Sequence, residues 1–130
     1  MYTKLCLSKE EVEKIVTACL MAASERNVEP TIAVVDEGGH LLYLARPPSQ
    51  NPNSVEMATG KARTAAFRER PSSALEQRIK DRPGFVTYPN VIAVRGGVPV
   101  FFENKCVGGV GVSGVGNHDE PVAAAGAAAI

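Results

Sequence analysis

Tryptophan is absent from this sequence, and aromatic residues make up only 5 % of it. Any apolar slot for a flat ligand therefore has to come from aliphatic side chains and alanine. Neither sign of charge is in excess, since 14 Lys and Arg balance 14 Asp and Glu. A neutral chain has no overall field to draw in nucleic acid or an anionic membrane, so neither is an expected partner. No apolar run approaches the ~20 residues that a membrane span needs. Met1 to Glu10 lacks the apolar stretch of a signal peptide. The three cysteines (Cys6, Cys19 and Cys106) are odd in number and form no Cys-x-x-Cys pair. That usage suits reduced thiols and a cytoplasmic protein better than a disulfide scaffold. No His/Cys cluster has zinc spacing, so no metal site is expected. A Gly-x-Ser-x-Gly elbow, a P-loop and a Rossmann fingerprint are all missing.

What is present fits one soluble domain. The chain has 130 residues, of which 45 % are hydrophobic and 22 % charged, enough to bury a single core. Ser8 and Glu11 have capping-box spacing, and Val12, Ile15, Val16, Cys19, Leu20 and Ala23 then form one helical stripe. Asn27 is suited to end that helix in the left-handed conformation. Thr31–Asp36 reads as a buried strand and Leu41–Arg46 as its hairpin partner across Glu37-Gly38-Gly39-His40. Pro47–Pro52 is a loop by composition. A second capping box, Asn53 with Glu56, predicts a helix through about Glu69 with Ala58, Ala62, Ala65 and Ala66 on one face. Pro71 separates it from a short helix carrying Leu75 and Ile79.

The last third reads as three strands, Val91–Val94, Val98–Phe102 and Cys106–Ser113. A third capping box, Asn117 with Glu120, predicts a closing helix from Pro121 to Ile130 that is almost all Val and Ala. Such a helix has to be buried or lie between subunits. The expected fold class is therefore α/β (α+β), a mostly antiparallel five-stranded sheet flanked by helices.

Glycine carries the strongest candidate signal. Gly108, Gly109, Gly111, Gly114 and Gly116 fall within nine residues, and each interior one weakens a strand. Two explanations compete. A ligand could approach the bare backbone beside a helix N-terminus that favours anions, or a helix or subunit could pack closely there. Ser113, Gly114 and Gly116 lean to the ligand; Gly108, Gly109 and Gly111 lean slightly to packing. Lys61, Thr64 and Arg68 share one helix face, where a cation beside a hydroxyl could hold a carboxylate. Arg68 and Arg70 read more readily as a solvated basic face. His118 and Asp119 start the last helix, where an acid is favoured by the dipole alone. His40 reads as a turn residue, and Asp36 as an acceptor for turn N–H groups.

At these residues the chain resembles the GlcG/HbpS family of haem-binding or haem-degrading proteins. The matching segments are Val34–Leu41, Lys61–Ala65, Gly96–Pro99, and Gly108–Gly114 with Asp119-Glu120, in family order over nearly the whole chain. The resemblance implies a profilin-like α/β/α sandwich that forms homo-oligomers. It also implies a small-ligand pocket near the lysine helix and the glycine-rich last strand. Some such proteins bind haem and respond to iron or redox stress; others are encoded beside small-acid or diol catabolism. One departure is plain: the family's usual Met-Asp-Gly after Leu44-Ala45-Arg46 is replaced by Pro47-Pro48-Ser49-Gln50.

Three functional expectations follow. The first is small-ligand binding, with haem as the cofactor and His40, His118, Tyr88 or Thr64 as the axial ligand. The second is an enzyme on a small carboxylate or oxidised organic acid, with Lys61, Asp119 and His118 catalytic and the anion held by Lys61 and the N-terminus of the last helix. In either case Asp36, Arg63, Thr64, Gly97, Ser113, Gly114, Gly116 and Glu120 are the expected ligand contacts. The third is a non-catalytic assembly or sensor protein that uses its apolar C-terminal helix as the interface.

Overall fold

The structure is a computed structural model describing residues 1–130. Helix α1 (Lys9–Glu25) begins where Ser8 predicts, the Ser8 amide donating to Glu11 Oε2 at 3.1 Å. It ends at Asn27, which takes the left-handed conformation with φ 57°. Strand β1 (Thr31–Asp36) turns tightly into β2 (Leu41–Ala45), and two antiparallel strands close the chain, β3 (Gly97–Phe102) and β4 (Lys105–Ser113). Between these pairs lie α2 (Asn53–Arg68) and α3 (Ser72–Asp81), and α4 (Asp119–Ala127) comes last.

The sheet has four strands in the order β2-β1-β4-β3, all neighbours antiparallel, rather than the five expected. The missing strand is Val91–Val94. Two of its backbone groups bond to helix side chains instead of a ladder: the Ile92 amide donates to Thr64 Oγ1 at 2.7 Å, and Ser72 Oγ donates to the Val94 carbonyl at 2.6 Å. Those side-chain bonds compete with strand pairing for the same backbone groups.

Helices cover both faces. Cluster residues Ala33 and Val35 of β1 meet Ala58, Ala62 and Ala66 of α2 on one side. On the other, Ile32, Val34, Val100, Val110 and Val112 pack with Ile15, Val16 and Cys19 of α1 and Val122 and Ala123 of α4. This α/β/α layering is the sandwich the family resemblance implies. Two caps differ from expectation. Helix α2 is capped by Asn51, whose Oδ1 accepts the Ser54 amide at 3.1 Å, not by Asn53. At α4, Glu120 does not reach back to Asn117; it accepts from Ser73 Oγ at 2.7 Å, and the helix starts at Asp119 after a 3-10 turn at Gly116–His118. Helix α4 is not covered all round either. Val122, Ala123 and Gly126 face the core while Ala124 is exposed, which alanine tolerates because it carries so little apolar area.

Candidate functional site

The glycine run and the alanine run explain each other. A Cβ on Gly109 would strike the Ala62 carbonyl, one on Gly111 the Ala58 carbonyl, and one on Gly97 the Lys61 carbonyl. Helix α2 thus lies directly on the backbone of β3 and β4, and small residues on both partners make that approach possible. Gly108 is likewise filled, by the Val35 carbonyl and the Leu7 side chain. For these positions the packing explanation accounts for the glycine. Gly114 and Gly116 differ: both have positive φ, 98° and 60°, and both are exposed. Gly114 meets the Gln50 side chain, whose Nε2 donates to the Gly114 carbonyl at 3.2 Å and the Glu29 carbonyl at 2.9 Å.

Lys61 and Asp119 are brought together as a buried ion pair, with Nζ 3.2 Å from Oδ2. Lys61 is 2 % exposed and also donates to the Val112 carbonyl at 3.1 Å. The other Asp119 oxygen accepts the Val115 amide at 3.0 Å. The pair therefore ties α2 to the end of β4 and the start of α4. Around it lie further closed contacts. Thr64 Oγ1 donates to the Gly60 carbonyl at 2.7 Å while accepting from Ile92, and the Gly97 amide donates to Ser72 Oγ at 2.9 Å. Thr64 is fully buried and its hydroxyl is committed on both sides, so it offers no oxygen to a metal. Ser113 is also buried, opposite Thr31 on the neighbouring strand.

The remaining expected residues lie apart. Asp36 Oδ1 accepts the Gly38 and His40 amides, both at 2.9 Å, as a turn acid does. Arg63 donates to the Gly39 carbonyl at 3.3 Å. His40 is exposed on that turn. His118 is half-buried, with Arg26 Nη1 3.3 Å from its Nδ1; arginine can only donate, so Nδ1 is the acceptor. Tyr88 is exposed beside Phe85, in a segment remote in sequence from both histidines.

Five cavities of 330 to 620 Å³ are all lined by residues outside 108–119, and only Cys106 and Val107, in two of them, come near that run. The one of 620 Å³ is a cleft between the C-terminal half of α1 and the edge strand β2. Leu20, Ala23, Val28, Ile32 and Ala45 give it an apolar wall, and Tyr43 and Arg46 supply a phenol and a guanidinium. Sequence reasoning did not single out this cleft. It assigned Leu20 to the core stripe, yet Leu20 is 52 % exposed and stands at the cleft wall. The available signal was Leu44-Ala45-Arg46 running into Pro47, an apolar edge strand ending in a cation.

Two thiols are shifted by their surroundings. Burial pushes Cys19 up from 9.0 to about 12, against a smaller opposing hydrogen bond from the Gly126 backbone. Burial also raises Cys106, helped by the nearby Glu69 and Glu37 carboxylates.

Comparison with known proteins agrees with this architecture. A double mutant of the Streptomyces reticuli protein HbpS superposes over 100 % of this chain and 90 % of its own, with a TM-score of 0.92 and 32 % identity. The crystal structure of a PduOC:haem complex covers 97 % of this chain and 96 % of its own, with a TM-score of 0.84 and 25 % identity. Protein GlcG of Escherichia coli is 39 % identical over 114 residues, spanning 87 % of this chain and 85 % of GlcG. The family model described as "Haem degrading protein HbpS-like" matches residues 7–128, and this chain belongs to that family.

Proposed function

We propose that this protein binds haem, and that the cleft between α1 and β2 is its binding site. The observation that carries the reading is the likeness to PduOC, whose crystal structure is a haem complex. The cleft fits the group on chemical grounds. Haem needs an apolar slot, an axial ligand and a counter-charge for its carboxylates. Leu20, Val28 and Ile32 supply apolar wall, Tyr43 carries a phenolic oxygen of the kind that ligates haem iron, and Arg46 would offset the charge of the carboxylates. At 620 Å³ the cleft lies within the usual range of small-ligand sites, about 300–1,000 Å³. Bound haem would supply iron-centred redox chemistry; the chain's own residues would hold it, exclude water from its apolar face and neutralise its acid groups. Arg46 already donates to the Gln50 carbonyl, so it is held at the rim by the Pro47–Gln50 turn. Spectroscopic haem titration tests the reading. Saturable binding with a Soret shift is expected, weakened at least about tenfold in Tyr43→Phe and retained in His40→Ala and His118→Ala. Binding indifferent to Tyr43 but lost with a histidine would move the site elsewhere.

A second reading keeps Lys61 and Asp119 as working groups on a small carboxylate, beside His118 and Glu120. Its support is the convergence of a buried cation and a buried acid at the start of α4. That chemistry requires the first turn of α4 to open, because both partners are enclosed in the closed chain. If Lys61→Ala and Asp119→Ala leave turnover of a discovered substrate unchanged, this reading fails.

A further inference from the structure

Seven of the eight arginines fall into two groups. Arg26, Arg46, Arg63 and Arg95 each have a polar partner: His118, the Gln50 carbonyl, the Gly39 carbonyl and Glu76. Arg68, Arg78 and Arg82 enter no ion pair and gather instead around one ring. Their guanidinium carbons stand 6.0, 5.1 and 5.3 Å from the centre of Phe85. Arg68 is also 5.5 Å from the ring of Tyr88, which meets Phe85 edge-on at 5.2 Å. Beside them lies a hollow of 490 Å³ lined by Asp81, Arg82, Gly84, Phe85, Thr87 and Tyr88.

Stacking on a ring compensates a guanidinium only partly and uses none of its N–H donors. Three cations gathered on one ring also repel one another, and Asp81 is the single acid lining the hollow. The three guanidiniums meet at the ring with their donor forks still free, and Asp81 is the acid on the adjoining hollow. The placement is fixed by the fold: Arg68 ends α2, Arg78 and Arg82 lie four apart at the end of α3, and the 3-10 turn Pro83–Thr87 carries the ring back between them. Such an arrangement suits a ligand with several oxygens and at least two negative charges, each fork taking one acid group.

We propose that Arg68, Arg78 and Arg82 form a binding site for a small polyanion, one bearing two or more neighbouring phosphate or carboxylate groups. The site is separate from the haem cleft and does not depend on it. Phosphate and carboxylate share the required chemistry, and the two probes below distinguish them.

Isothermal titration of the full-length protein with pyrophosphate, and in parallel with citrate, tests the site. Saturable binding of one or both is expected, weakening as salt rises. Arg78→Gln and Arg82→Gln, both at exposed positions, are expected to weaken it about tenfold each. Arg78→Lys keeps the charge but loses the fork, and is expected to fall between. Arg95→Gln, which touches only Glu76, and Tyr43→Phe in the haem cleft are expected to leave it unchanged. The proposal is overturned if neither anion binds saturably, if affinity ignores Arg78 and Arg82, or if only an oligonucleotide binds the patch.

Discussion

Gly111, Lys61 and Cys19 show how single residues bear on this fold. A Cβ at Gly111 meets the α2 backbone rather than a flexible side chain, so the helix as a whole has to move. Gly111→Ala is therefore expected to destabilise by about 3 kcal/mol or more, measured by urea unfolding. Lys61→Met leaves the Asp119 carboxylate buried without its cation, a loss of about 3–5 kcal/mol in the same assay. Cys19 gives a pH signature. Its folded value of about 12 lies above the ordinary 9.0, so the folded thiol keeps its proton after the unfolded one has lost it. The stabilisation from that burial is complete below pH 9 and declines as pH rises toward 12, by up to about 4 kcal/mol. Unfolding free energies across that window should fall more steeply in the native protein than in Cys19→Ala. A thiol reagent at pH 8 should label exposed Cys6 and spare Cys19.

At the scale of elements, strands and helices were legible where local rules alone decided them. Helix α1 was readable because the Ser8–Glu11 cap, the apolar stripe and Asn27 all agree. The β1–β2 hairpin was readable because Asp36 and the glycines dictate its turn. Val91–Val94 was misread because its composition is β-like while its partners are Thr64 and Ser72, distant in sequence and invisible to periodicity. The segment should therefore behave as a strap pinned from α2 and α3. In hydrogen exchange the Ile92 amide should be protected although it lies in no strand, and Thr64→Val should abolish that protection. The same change should cost about 1–3 kcal/mol, because two hydrogen bonds go with the hydroxyl. The glycine signal was legible as a demand for close approach, but the sequence alone could not say what approaches. On β3 and β4 it is helix α2.

For the whole molecule, the family and the layered sandwich were readable from motif order, whereas the cleft was not. It forms between α1 and β2, which have no sequence pattern in common, and no helix here is long and apolar enough to cross a membrane. Self-association belongs at this scale too. Helix α4 packs Val122 and Ala123 against α1 and the sheet and leaves Ala124 and Ala128 exposed. Both edge strands carry exposed apolar residues: Leu41, Leu42 and Leu44 on β2, and Phe101 and Phe102 on β3. An unprotected apolar edge invites pairing with another chain. Light scattering is expected to give a mass above the 13.7 kDa of one chain, and Leu42→Lys to lower it.

The location of the ligand separates this account from one built on the glycine-rich strand. Hydrogen–deuterium exchange on the protein with and without haem measures that location directly. Haem should slow exchange in residues 20–32 and 43–47, the two walls of the α1–β2 cleft, and leave residues 108–119 as they were. Slowing confined to 108–119, with the cleft unaffected, would contradict it.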